Sequence, residues 1–321
     1  MKRITFFLPY FLLIISFSRL FAQSDLEALI QEDSTTREKV SATFKSNHLI
    51  NAQSIETIHK KELEFRVDHR FGDIAGGSGG IGNFFGLDQS TDIRIGFDYG
   101  ISDRFNVGIA RAKGATAATQ LYEANFKYRF LEQTTDNAIP VSLAFFGSGT
   151  VSGVKASDDP TASTSYKNFG DRITYVSQLI VARKFSPSFS FELIPSYVHR
   201  NYTIFGDQNG IFALGAGGRL KISKRMAIVA DYFLPFRSKD KKEYVENINQ
   251  QKFYDALGVG LEIETGGHVF HLNFTNATAI QESQFIPETT TSWGKGQYRW
   301  GFSISRRFSF NKDREGKAGG Y

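Results

Sequence analysis

The sequence predicts an all-β protein, a closed antiparallel transmembrane β-barrel of about twelve strands with short periplasmic turns and longer external loops. Three observations predict it. From residue 61 to residue 310 hydrophobic side chains recur at every second position, the period of a strand whose two faces differ in chemistry. The alternating segments run near ten residues, which suits tilted strands crossing a bilayer. The connections between them alternate between tight and long, as they do when turns face the periplasm and loops face outward.

Taken from the start, MKRITFFLPYFLLIISFSRLFA has a basic opening at Lys2 and Arg3, an apolar run from Ile4 to Phe17 and a small residue, Ala22, at a cleavage point. Residues 1–22 therefore read as a secretory signal peptide. No cysteine follows the apolar run, so a lipid anchor is excluded. Residues 23–60 are polar and charged after a short amphipathic stretch, DLEALIQE, and read as a periplasmic N-terminal extension or a plug in the barrel mouth. Residues 61–310 form the barrel, and 311–321, NKDREGKAGGY, a disordered tail.

The strand segments follow from the alternation. Leu63, Phe65, Val67 and Phe71 alternate with Glu64, Arg66, Asp68 and Arg70; Ile93, Ile95, Phe97 and Tyr99 alternate with Asp92, Arg94, Gly96 and Asp98. The same reading places strands at 61–72, 90–101, 104–113, 119–130, 139–150, 172–184, 189–200, 211–222, 225–235, 253–264, 268–277 and 297–310. The segment at 172–184 is less regular, because Ile180 sits on the polar phase. Pro195 falls inside a strand and removes a ladder donor, which predicts a bulge or local break; Pro235 suits a rim. Connections at 101–104, 131–138, 184–188, 222–225 and 264–268 are the tight or shorter ones. Those at 73–89, 151–171, 201–210, 236–252 and 278–296 are external loops.

Alternation alone does not say whether the greasy face meets lipid or a protein core. Small residues on the polar phase, such as Gly96, Gly108, Gly215, Gly217, Gly258, Gly260, Ser303 and Ser305, suit a confined lumen. Aromatic residues gather toward strand ends, as interfacial girdles do. No apolar run after residue 22 approaches the ~20 residues of a spanning helix, so only a closed barrel could take the chain into a bilayer. The greasy face is therefore expected to meet lipid, and the barrel to lie in the outer membrane with both termini periplasmic.

The segments KKELEFRVDHRFGDI (60–74) and FFGLDQSTDIRIGFDYGISDRFNVGIAR (84–111) resemble a family of bacterial proteins known as a membrane-bound β-barrel domain. The resemblance rests on His69-Arg70-Phe71-Gly72-Asp73, on Gly86-Leu87-Asp88 and on Asp98-Tyr99-Gly100 with the tight turn after it, and covers most of residues 40–310. It implies an outer-membrane barrel and carries no reaction or ligand. The last strand, with Tyr298, Trp300, Phe302, Phe308 and Phe310, pairs with the first to close the barrel. Outer-membrane barrels commonly end on an aromatic residue read by the barrel-assembly machinery, so by resemblance Phe310 serves as that signal. Its partners are then outer-membrane lipid and that machinery.

Charge and composition exclude several functions. Removing Lys2, Arg3 and Arg19 from the 38 basic residues leaves 35 against 33 acidic, which does not argue for a nucleic-acid partner. With no cysteine there is no disulfide, thiolate metal site or cysteine nucleophile. GGSGGIG (76–82) contains a G-x-G-x-x-G spacing but lacks the following helix a dinucleotide site needs, and reads as loop. Of the six histidines, His268 and His271 have opposite strand phases and cannot share a metal on one strand, and His69 and His199 fall on the lipid phase near strand ends, so no metal site is expected. No cofactor is expected. The charged polar phase of the first four strands, Glu64, Arg66, Asp68, Arg70, Asp92, Arg94, Asp98, Arg104, Glu123, Lys127 and Arg129, predicts one patch of the inner wall. It reads either as a selectivity or gating cluster or as paired charges filling a narrow lumen. Mixed signs argue against strong ion selection. The function expected is a small pore or uptake channel for a polar solute; the alternatives are a non-conducting barrel that displays loops or anchors a partner, and a barrel hydrolase.

Overall fold

The computed structural model describes residues 37–310. Among them, twelve antiparallel strands close into one barrel, each paired with its sequence neighbours and the last with the first. They are β1 (Glu62–Asp73), β2 (Ser90–Ser102), β3 (Phe105–Ala112), β4 (Leu121–Leu131), β5 (Ser142–Ser152), β6 (Ile173–Lys184), β7 (Phe189–Arg200), β8 (Gly210–Lys221), β9 (Met226–Phe236), β10 (Ala256–Thr265), β11 (His268–Thr275) and β12 (Arg299–Ser309). Two short helices lie in the long connections, α1 (Lys239–Asn247) between β9 and β10 and α2 (Glu282–Glu288) between β11 and β12. One end of the barrel carries the connections 103–104, 132–141, 185–188, 222–225 and 266–267; the other carries 74–89, 113–120, 153–172, 201–209, 237–255 and 276–298. The signal peptide, the first part of the N-terminal extension and the tail 311–321 lie outside the described residues.

Period two places the greasy side chains outside. Ile109 is 65 % exposed and Phe212 65 %, and Phe97, Phe126, Leu193, Leu214, Ile228 and Leu272 are exposed around the circumference. A continuous apolar belt of this kind suits hydrocarbon and not water. Closure satisfies every sheet edge: β1 pairs with β12 from Glu62↔Ser309 to Arg70↔Gly301. Two aromatic residues expected in the closing strand flank it instead. Tyr298 precedes it and stacks on Trp293 at 4.7 Å between ring centres, and Phe310 follows it, its N–H bonded to the Lys61 carbonyl at 2.9 Å. Trp300, Phe302 and Phe308 lie within β12. Replacing both Phe308 and Phe310 with serine should cut barrel insertion sharply, measured as the heat-modifiable folded band on a gel. Deleting residues 312–321 should leave it unchanged, and the reverse ranking would mean the closing strand is misassigned.

Pro195 breaks the ladder on one side only. Pairing of β6 with β7 stops after Gln178↔Ser196 and resumes at Val181↔Leu193 in the same register, whereas β7 pairs with β8 through Pro195↔Leu214 without interruption. The missing N–H therefore opens a gap without a bulge, because the proline nitrogen faces β6 only.

The interior departs from the expectation of a polar lumen. The inward phase is charged on β1 to β4 but largely apolar on β5 to β9, where Phe146, Val176, Ile180, Ile194, Val198, Val229 and Phe233 are buried together. Ile180, irregular in sequence, is fully buried. The reason is that the lumen is not filled with water. Residues 43–58 enter from the short-turn end as a hairpin, turning at Leu49–Ala52 with the His48↔Gln53 bridge, and lay Phe44, Leu49, Ile50 and Ile55 against the apolar wall. From the other end, the first half of the β11–β12 connection also folds inward. Residues 276–287 are almost all buried, and Phe285 meets Phe233 edge-on at 5.1 Å. The loop expected outside at 278–296 is thus partly an internal insert.

Candidate functional site in the barrel interior

Register builds the centre of the site. Glu192 on β7 pairs with Gly217 on β8, Gly217 with Asp231 on β9, and Asp231 with Gly258 on β10, so the four residues form one row across the inner wall. The two glycines leave the floor open. A Cβ on Gly217 would lie 2.6 Å from Leu49 Cδ1 and 3.0 Å from Glu192 Oε1, and one on Gly258 would lie 2.7 Å from Ile50 Cγ2 and 2.7 Å from Asn51 Nδ2. The hairpin tip occupies the space those side chains would take. Its backbone bonds the acids: Ile50, Asn51 and Ala52 donate N–H groups to Asp231 Oδ2 at 2.9, 2.6 and 3.1 Å. Asn51 Nδ2 donates to Asp231 Oδ1 at 2.6 Å, and the Ile55 N–H donates to Glu192 at 3.2 Å. Three successive amides converging on one carboxylate form an anion nest.

The charged wall of β1 to β4 holds the same hairpin by its carbonyls. Lys127 Nζ donates to the carbonyls of Asn47, Ser54 and Glu56 at 3.0, 2.9 and 3.2 Å. Arg66 reaches Ser46 Oγ at 3.2 Å while paired to Asp68 at 2.8 Å. Arg70 donates to Asn51 Oδ1 at 2.6 Å and to the Ala277 carbonyl at 3.1 Å, and also bonds the Ala279 carbonyl. Asp92 accepts the N–H of Ile280 at 2.8 Å and of Gly114 at 2.8 Å. Arg94 is bound to Glu123 at 2.9 Å, Glu123 accepts from Gln281 at 2.7 Å, and Glu64 pairs with Arg307 at 2.9 Å. Asp98 is buried with its Oδ2 lacking a hydrogen-bond partner.

Nine of the eleven residues expected in the lumen patch therefore lie inside and form one wall. Arg104 and Arg129 do not belong to it. Arg104 falls in the β2–β3 turn and pairs with Glu132 at 2.9 Å, and Arg129 sits at the same rim between Glu56 at 3.5 Å and Glu132 at 3.1 Å. Strand β3 starts at Phe105, one residue later than the alternation suggests, which moves Arg104 out of the sheet. Sequence reasoning missed Glu192 and Asp231. Asp231 is an acid on the inward phase between the apolar Val229 and Phe233, and Glu192 one between Ser190 and Ile194; that misfit was the available signal.

The two inserts meet at the middle. Gln53 Nε2 donates to Glu282 Oε1 at 2.9 Å. A cavity of about 10 Å³ between His48, Asn51, Arg66, Asp68, Arg94 and Glu282 is near the smallest that holds one water. Burial, then the cations Arg66, Arg94 and Lys127, holds His48 well below the usual histidine range, so it stays neutral. Burial first, and then the neighbouring Glu123 carboxylate, pushes Glu282 up to about 7. Below its ordinary 4.5 Glu282 is protonated whether the loop is seated or released, so seating does not depend on pH there. Between 4.5 and about 7 the released loop ionises while the seated one keeps its proton. Seating therefore weakens as pH rises, by up to ~1.4 kcal/mol per unit. A Ser283→Cys thiol in this cysteine-free chain should be labelled faster at pH 8 than at pH 5, relative to a free-cysteine peptide at each pH. Glu282→Gln should flatten that difference; a pH response that survived the change would assign it to another group.

Among solved structures, the fold is similar to a NanC porin, at 9 % identity over 77 % of this chain and 100 % of that one, with a TM-score of 0.46. It is also similar to a KdgM porin, at 9 % over 78 % and 99 % with a TM-score of 0.43. A third is the COG4313 outer membrane channel from Pseudomonas putida F1, at 10 % over 79 % and 98 % with a TM-score of 0.46. Likeness of this degree carries no argument about a solute. No curated protein matches the chain. The family model described as "Membrane bound beta barrel domain (DUF5777)" matches residues 44–308, a span that takes in both the twelve strands and the inserted hairpin, and the chain belongs to that family.

Proposed function

We propose that the protein is an outer-membrane channel for a small solute, closed at rest by its own residues 43–58. The observation that carries this reading is the way the hairpin is attached. Both legs leave through the short-turn end: Lys39 meets Glu132 and Thr134 on one side, and Lys61 bonds Gly100 as the chain enters β1 on the other. Every one of the barrel's strand pairings is made between strands β1 to β12 alone. The hairpin can therefore withdraw without breaking a ladder bond, which a core built into the sheet could not. Its seat combines apolar packing of Phe44, Leu49, Ile50 and Ile55 with carboxylate–amide and ammonium–carbonyl bonds that water can replace. Arg37 lies 3.5 Å from Asp136 and Phe310 is bonded to Lys61, so both ends of the described chain sit at the short-turn end. In this reading that end faces the periplasm, as short turns do in barrels exported from within.

The test is planar-bilayer recording. The full chain should be silent apart from brief openings, and a chain lacking residues 43–58 should conduct steadily. The filled lumen also fits a non-conducting barrel that displays its long loops. A deletion variant that folds, judged by its heat-modifiable band and its β circular dichroism, yet stays silent, would favour that second reading and overturn the first.

A further inference from the structure

Resting on that reading, we propose that the row Glu192–Gly217–Asp231–Gly258 is a binding site for cations that carry an apolar body, and that residues 49–52 occupy it as a built-in competitor. The geometry has three parts. Glu192 and Asp231 stand two strands apart, roughly 10 Å, on either side of a glycine that leaves the floor between them open. The wall is apolar around Asp231, flanked by Val229 and Phe233 on β9, and on the Ile194 side of Glu192 on β7. The present occupant shows which chemistry fits: Leu49 and Ile50 supply the apolar surface and their neighbouring amides supply the donors.

Glu192 is fully buried, and its Oε1 has no hydrogen-bond partner. That oxygen points over Gly217, into the space between the acids. The occupant thus leaves one acceptor of the site unmet. Two of the neighbouring cations are committed elsewhere: Arg219 to Glu262 at 2.7 Å and Glu264 at 3.0 Å, and Arg299 to Asp73 at 2.9 Å. When the hairpin leaves, Glu192 and Asp231 lose their amide donors, and the cations within electrostatic reach stay shared with the acids of the charged wall, Lys127 with Asp98 and Glu64 and Arg70 with Asp92 and Asp68. A small hydrated cation would meet the charge and leave the wall wet. A neutral apolar solute would leave buried carboxylates unsatisfied, which is the more costly fault, and an anion would be repelled. An ammonium group on a hydrocarbon chain meets both demands.

The experiment uses the full mature chain carrying Ser54→Cys as its single thiol, since the chain has no cysteine of its own; Ser54 is fully buried in the seated hairpin. The rate of labelling by a water-soluble maleimide reads hairpin release. Hexylammonium should raise it tenfold or more and saturably, whereas methylammonium and hexanesulfonate should leave it within twofold. Adding Glu192→Gln should abolish the saturable part while the barrel stays folded. Equal effects of hexylammonium and hexanesulfonate, or none from either, would overturn the site while spontaneous labelling still supported a withdrawing hairpin. A thiol that is never labelled in the folded barrel would overturn both the site and the gated channel.

Discussion

Lys127→Met should raise the open fraction of the barrel on the order of a hundredfold. The Lys127 ammonium donates to the carbonyls of Asn47, Ser54 and Glu56, and it lies on β4, so one side chain staples both legs of the hairpin to the wall. A methionine fills the same volume and donates nothing. The Ser54 and Glu56 carbonyls would then be left without a partner or draw the hairpin into water, while the Asn47 carbonyl keeps the Ser54 N–H. At about 1.5 kcal/mol apiece for bonds to a charged donor, the loss to seating is about 3 kcal/mol, and each 1.4 kcal/mol is a factor of ten. The barrel itself should not notice, because the β4 ladder uses only backbone at this position, Asn106↔Lys127 and Lys127↔Phe146. The measurement is open probability in planar bilayers together with labelling of Ser54→Cys, and Lys127→Arg, which keeps donors in place, should restore much of the closed state. If Lys127→Met stayed closed and unlabelled in a folded barrel, the wall would not be what holds the hairpin.

Asp231→Asn should have an effect of similar size for the complementary reason. The Asp231 carboxylate accepts four hydrogen bonds from the hairpin, three from successive backbone amides and one from Asn51. An asparagine offers one oxygen and turns an NH₂ group toward donors, so at least one amide loses its acceptor and faces another donor. Bonds to a charged acceptor are worth about 1.5–3 kcal/mol each, which makes a loss of about 3 kcal/mol the expected floor. Denaturant or thermal unfolding of the barrel should be unchanged, since the Asp231 side chain holds the hairpin and not a neighbouring strand. Arg94→Met is the contrasting case. Arg94 pairs with Glu123 at 2.9 Å and lies 3.8 Å from Asp68. Its removal leaves buried carboxylates uncompensated within the wall and should destabilise the barrel itself. A barrel weakened equally by Asp231→Asn and Arg94→Met would contradict the division between hairpin-holding and wall-holding charges.

Much of the barrel was legible because a strand exposes its period directly. Leu63, Phe65 and Val67 against Glu64, Arg66 and Asp68 state two faces whatever lies beyond them, and the tight turns set the antiparallel order. Most of the charged patch was legible for the same reason: those residues share one phase on consecutive strands. Arg104 was misplaced because a single residue of strand boundary decides whether a side chain is in a sheet or in a turn. The apolar half of the lumen was not legible. Ile180 and Phe233 differ in no local way from residues that face lipid, and Ile180 merely looked out of step.

The amino-acid pattern alone pointed to a membrane barrel of about twelve strands closed by residues 297–310, because alternation and turn length are local properties of the chain. Only the tertiary structure decided what fills it. The row Glu192–Gly217–Asp231–Gly258 exists through three strand pairings that bring together residues up to 66 positions apart, and the seat of residues 43–58 depends on which carbonyls and amides reach across that space. Register and long-range hydrogen bonding are set by the folded whole, and only they show that the charged wall, expected as a selectivity or gating cluster or as paired charges filling a narrow lumen, bonds the two inserts inside the barrel.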